Sequence, residues 1–233
     1  MPALIHPTWP KLSRRLLVTA GVFFAAFVVV TVMVKVGAFG AFNLRLTHSL
    51  QARGSQGQDI ALGLFAYLGS IEVTLVVGIL LGVALFRGLR LLAVLPAAVI
   101  LFASGLEYLG KKLIVSPGPG HALDRFPGFL PTFSHNIAPY SYPSGHMLRT
   151  MVTYGLVLYL AERWELFGRD SSRLSPVLVL LIALMSYAVI YLGWHWFSDA
   201  LGGLLLGLTL LFALIAYLER KRTVNPGHAP VED

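Results

Sequence analysis

Long apolar runs alternate with short polar stretches along nearly the whole chain. The runs cover about 16–36, 71–86, 91–109, a stretch from the Pro-Ser-Gly-His turn to about 160, 176–192 and 198–218. Each approaches or reaches the ~20 residues a helix needs to cross a bilayer. Between them lie a polar connection over 37–58, a tight basic turn with Arg87, Gly88 and Arg90, and a charged segment over 162–173. The stretch 59–67 is apolar again but is interrupted by Gly69-Ser70, which predicts an interfacial helix leading into the second span. Pro96 predicts a kink in the third. In the 37–58 connection, Phe39, Phe42, Leu44 and Leu46 are suited to rest on the membrane interface.

The pattern predicts an all-α integral membrane bundle of about six spans in one domain, 16–218, with polar tails over 1–15 and 219–233. Lys11, Arg14 and Arg15 before an apolar run have the look of a signal peptide. The run over 16–36 is longer than a signal core, so it reads as an uncleaved first span. Six spans put both termini on one side. Lys11, Arg14, Arg15, Arg87, Arg90, Arg163, Arg169, Arg173, Arg220, Lys221 and Arg222 fall on that side. Lys35, Arg45, Arg53, Lys111, Lys112 and Arg125 fall on the other. The excess assigns the termini to the cytoplasm and the Lys111 region, His146 and His195 together to the extracytoplasmic face of a cell membrane.

Composition agrees: 56% of the residues are hydrophobic and only 12% charged, too apolar for an ordinary soluble domain. The net charge of +7 would suggest nucleic acid in a soluble protein. Here the cations cluster at span ends, which fits membrane topology and anionic headgroups, so no nucleic-acid partner is expected. There is no cysteine, hence no disulfide, thiolate nucleophile or thiolate-bound metal. No tight metal-ligand pattern and no Gly-rich nucleotide loop occurs, so neither a metal nor another cofactor is expected.

The candidate chemistry lies in three segments. His195 precedes Asp199 by four residues, the spacing that shares a helix face. A carboxylate beside an imidazole fixes its tautomer and raises its basicity, which suits His195 as a nucleophile toward phosphorus. The same pair, flanked by Trp194 and Trp196, also suits a plain interface belt. Tyr142-Pro143-Ser144-Gly145-His146 opens another apolar run. A helix start offers free N–H groups to an anion, Gly145 permits close approach, Ser144 adds a donor, and His146 is placed as a general acid. Pro-Ser-Gly is equally good chemistry for a simple helix entry. The third segment is the long Pro-, Gly- and aromatic-rich connection over 110–142, with Lys111, Lys112, His121, Asp124, Arg125 and His135. Lys111 can hold a phosphate or snorkel to headgroups, and Glu107, one turn earlier, can pair with it. Glu72, an acid in an apolar run, is expected near the outer boundary with local hydrogen bonds.

Together these segments resemble the type 2 phosphatidic acid phosphatase family over about 62–214. Pro143-Ser144-Gly145-His146 matches that family's second motif, and His195 with Asp199 matches the reactive half of its third. The resemblance implies a phosphohistidine on His195, with Asp199 orienting it and His146 protonating the leaving group. It also implies that Lys111, Ser144 and the backbone at Gly145 hold the phosphate. Two positions depart from the pattern: Gly118 and Val189 stand where the family places the arginines of its phosphate clamp. Lys112, Arg125 and Arg149 are the candidate substitutes. The resemblance implies a membrane lipid phosphatase that removes phosphate from a lipid phosphomonoester or diphosphate without a metal. Two rivals stay open: a lipid phosphotransferase using the same histidines, and a non-catalytic protein that has lost the clamp. The lipid and the oligomeric state are not legible.

Overall fold

A computed structural model describes residues 9–86, 93–128, 140–163 and 171–224. Eight α-helices occur among them: α1 (Trp9–Lys35), α2 (Gly40–Gln51), α3 (Gln56–Ala66), α4 (Ile71–Phe86), α5 (Leu95–Leu113), α6 (Gly145–Arg163), α7 (Ser171–Tyr191) and α8 (Phe197–Val224). The basic turn at Arg87, Gly88 and Arg90, His135, Arg169 and the end of the C-terminal tail lie outside the described residues.

The chain is an all-α membrane bundle. α1, α7 and α8 are each long and apolar enough to cross a bilayer, and α3 with α4, bent by 47°, makes a fourth span if the pair is counted as one. α5 and α6 have 19 residues each, about 28 Å at 1.5 Å per residue. That length suffices to cross, but both carry charged residues that α1 and α7 keep out of their apolar stretches. Val18, Val22, Val29, Leu80, Val83 and Leu180 are all more than half exposed. On a water-facing surface such a belt would be costly; against lipid tails it is the expected outer face.

α6 is the hub, packed against α4, α5, α7 and α8. From Tyr142, just before it, to Val152 most side chains are fully buried. Lipid is as apolar as leucine, so helices in it associate by close packing over small residues rather than by expelling water. α8 supplies those residues. A Cβ on Gly203 would fall 2.4 Å from the Ser144 carbonyl oxygen, and one on Gly207 would fall 2.7 Å from Cβ of Met151. α1 lies antiparallel along α8: Phe23 stacks on Phe212 with ring centroids 5.6 Å apart, while Thr31, further on, meets the Tyr142 hydroxyl at 2.7 Å. The starts of α6 and α8 therefore share one end of the bundle, opposite the start of α1.

The structure differs from the hydropathy pattern in several places. The 37–58 connection contains a full helix, α2. Its Asn43 and Thr47, one turn apart, are buried, and Asn43 donates to Ser198 Oγ at 2.9 Å while accepting from Ser198 N–H at 3.2 Å. This polar pairing with the first turn of α8 is invisible to an apolar count. Pro96 does not kink α5; it stands in the first turn, where a missing N–H costs nothing. Pro176 lies inside α7. Glu72 is exposed in the first turn of α4.

Gly203→Ala forces Ser144 and α8 apart and should destabilise the protein by about 1–3 kcal/mol. Gly40→Ala, which meets nothing within 4 Å, should stay within about 1 kcal/mol of the parent. Thermal unfolding of both variants in detergent checks the contrast.

Candidate active site

Asp199 is fully buried in the first turn of α8. Its Oδ2 accepts from Ser141 Oγ at 2.6 Å and from the Trp196 N–H at 2.9 Å. Its backbone carbonyl accepts the Ser144 N–H at 3.0 Å. One residue thus ties the chain entering α6 to the start of α8. Ser144 is itself fully buried and caps α6: its carbonyl accepts the Leu148 N–H at 3.0 Å, and its Oγ lies 3.4 Å from the Met147 N.

His195 stands on the tight turn between α7 and α8. The turn needs Gly193, whose φ is +70° and whose Cβ position would lie 2.1 Å from the Leu123 carbonyl oxygen. No other residue takes that conformation at that contact without strain. Nδ1 of His195 faces Asp199 Oδ2 at 3.8 Å, long for a hydrogen bond, and neither Nδ1 nor Asp199 Oδ1 has a hydrogen-bond partner. His146, in the first turn of α6, faces His195 with ring centroids 6.2 Å apart, and Trp194 packs on the His146 ring at 5.3 Å.

Beside the histidines lies a charged cluster. Glu107 of α5 accepts from Lys111 Nζ at 2.7 Å and pairs with Arg149 Nη1. Arg149 is buried, and its Nε donates to the Gly69 carbonyl at 3.2 Å. Glu107 lies against Gly145 at the start of α6 and within electrostatic reach of His195. The structure therefore brings His146, His195, Asp199, Ser144, Gly145, Lys111 and Arg149 to one place.

Two of the three candidate substitute cations are placed elsewhere. Arg125 holds Asp59 through two bonds, Nε to Oδ1 at 2.7 Å and Nη2 to Oδ2 at 3.0 Å, and its guanidinium packs over Tyr191. The bond to Asp59 raises the pKa of Arg125 above its ordinary value. Lys112 is exposed, its ammonium 4.9 Å from the centre of the Tyr108 ring. Gly118 lies against Ser141, 3.4 Å from Cβ to Cβ if a side chain is built there. Val189 packs with Met147, Met185, Ile190 and Ala200. Exposed His121 stands in a short 3-10 turn of the loop.

Sequence reasoning did not find Ser141 or the place of Glu107. Ser141 carries no local signal, because its partner is 58 residues away. Glu107 was legible only as a partner for Lys111; its approach to Gly145 and Arg149 depends on how α5 meets α6.

Known proteins give this geometry a context. The crystal structure of the first transmembrane PAP2 type phosphatidylglycerolphosphate phosphatase from Bacillus subtilis superposes with a TM-score of 0.74, covering 87% of this chain and 96% of that one at 20% identity. At that identity the likeness is one of fold. Phosphatidylglycerophosphatase B of Bacillus subtilis (strain 168) is 30% identical over 82 residues, 35% of this chain and 40% of that protein. The matched stretch thus spans well under half of the curated relative. The family model described as PAP2 superfamily matches residues 87–223, which is more than half of the chain and includes both histidines, Asp199 and the Glu107 cluster. This chain belongs to the PAP2 superfamily.

Proposed function

We propose that this protein is a membrane lipid phosphatase that works through a phosphohistidine on His195. The observation that carries the reading is the convergence of His195, Asp199 and His146 beside two cations, Lys111 and Arg149, at the start of two apolar helices. The named activities of the two Bacillus subtilis proteins point the same way. A site at the end of membrane-spanning helices suits a substrate whose tail stays in the bilayer.

Nδ1 of His195 faces Asp199, which leaves Nε2 for phosphorus. Nε2 attacks the phosphorus as the bond to the lipid oxygen breaks, and His146 gives its proton to that oxygen. The lipid leaves as an alcohol, or as the lipid monophosphate if the substrate is a diphosphate. Water then attacks the phosphohistidine and passes a proton to His146, so inorganic phosphate is released and both histidines are restored. Asp199 supports the positive charge His195 develops. Of the candidate phosphate ligands, Lys111, Arg149 and the α6 start at Gly145 suit the role, and Ser144 fixes that helix start as its cap.

We assign the site to the extracytoplasmic face and both termini to the cytoplasm. The bias of basic residues supports this, as does the antiparallel packing of α1 and α8.

Purified protein in detergent should release phosphate from a lipid phosphomonoester. His195→Ala should lower that release by about 10³-fold or more, and His146→Ala by roughly 10²–10⁴-fold. Release that survives His195→Ala rules out the phosphohistidine. Ser141→Ala removes a hydrogen bond to a charged group, worth about 1.5–3 kcal/mol. It should lower kcat roughly tenfold or more with little change in KM; an unchanged kcat would show that Asp199 needs no help in its placement. The chain lacks cysteine, so a single His121→Cys change reports sidedness directly. A membrane-impermeant maleimide should label it in intact cells, and labelling only after lysis would reverse the assignment.

A further inference from the structure

Glu107 occupies the place where an incoming phosphate would look for its cations. Its Oε1 takes Lys111 Nζ at 2.7 Å, and its Oε2 takes Arg149 Nη1. A Cβ built on Gly145 would come within 2.0 Å of Oε2 and 2.1 Å of Oε1, so the carboxylate rests directly on the first residue of α6. Two cations and a helix start are the groups that recognise phosphate, and here a carboxylate of the chain itself is among them. The side chains of Glu107 and Arg149 are only 14% and 6% exposed, so solvent ions do little to screen the charge there.

We propose that Glu107 is a resident anion that lowers the charge of the phosphate cradle and makes it select phosphate groups bearing a single negative charge over doubly charged ones. The inference rests on the phosphatase reading above and names the form of headgroup that site accepts. Lys111 and Arg149 contribute two positive charges and Glu107 one negative, which leaves one net positive charge. A phosphomonoester carries about −1.5 to −2 near neutral pH, because its second pKa is about 6. Its dianion meets Glu107 as a like charge in a poorly screened site; its monoanion, or a phosphodiester, balances the cradle. The charged and titratable groups acting on Glu107 are Lys111 on its own helix, Arg149 from α6 and His195 from the turn before α8. Protonation of the histidines strengthens both ligands, and dimethyl phosphate removes the part of that effect felt by a singly charged phosphate. A purely structural Glu107–Arg149 pair would neutralise a buried arginine. Removing it would then harm folding without changing the order in which the site ranks anions.

The test is calorimetric binding of inorganic phosphate and of dimethyl phosphate to the full-length protein in detergent. Dimethyl phosphate stays singly charged throughout, whereas inorganic phosphate passes from mostly dianion at about pH 8 to mostly monoanion at about pH 6. In the wild type, the affinity ratio of inorganic to dimethyl phosphate should rise roughly tenfold across that interval. Glu107→Gln keeps the shape and removes the charge. It should tighten inorganic phosphate about tenfold or more at about pH 8 and dimethyl phosphate less than about threefold. Equal changes for both ligands, or none, overturn the proposal. Should Glu107→Gln not fold, the wild-type ratio decides alone, and a ratio that does not move with pH overturns the proposal. His195-dependent release of lipid phosphate together with such a flat ratio sinks only this inference. A folded wild type that binds neither anion and releases phosphate from no lipid sinks the site reading, and this inference with it.

Discussion

A carboxylate sealed from water calls for donors, and Asp199 Oδ2 is met by two while its backbone carbonyl takes a third. Its side chain takes Ser141 Oγ and the Trp196 N–H, and its carbonyl takes the Ser144 N–H. An unmet buried carboxylate would cost several kcal/mol. The entry to α6 and the start of α8 are thereby held at one separation, the one at which α8 presents Gly203 to the Ser144 carbonyl. His146 and His195 face each other because their helices start at this seam. The arrangement of the two histidines follows from a buried charge and a missing side chain more than from any contact between the rings.

A second buried charge sets the character of the site. Arg149 lies inside the helix bundle, where a lone guanidinium would be expensive. Glu107 and the Gly69 carbonyl meet it, and Gly69 belongs to the break where α3 and α4 bend by 47°. The bend thus supplies a carbonyl that a continuous helix would keep for itself. Arg125 shows the contrasting case. It pairs with Asp59 nearer the surface, and with Gln51 it fastens the loop over 120–128 to the turn that carries His195: Gln51 donates to the Leu123 and Tyr191 carbonyls, and the Arg125 N–H to the Leu192 carbonyl. Two arginines of equal charge therefore serve different ends, one buried beside Glu107 and one as a fastener.

Apolar run lengths carried the all-helical membrane architecture because lipid leaves a backbone few alternatives to a helix. Spacing was enough to pair Glu107 with Lys111, since residues four apart share a helix face; His195 also comes to face Asp199, but from the turn before α8 and not from its helix face. The Pro-Ser-Gly-His turn marked the start of α6 for the same local reason: turn and cap chemistry are written within a few residues. The existence of α2 was not legible, because its buried residues are polar and its Asn43 is met by Ser198, which lies 155 residues away. Nor was the placement of Lys112, Arg125 and Arg149. Each is a cation near a span end, and only the packing of α5, α6 and the loop turns one toward Glu107, one toward Asp59 and one over Tyr108. Local order along the chain determined the helices and the turns that start them. Tertiary structure decided which distant charges meet, because the energy of a buried ion depends on partners that sequence distance does not encode.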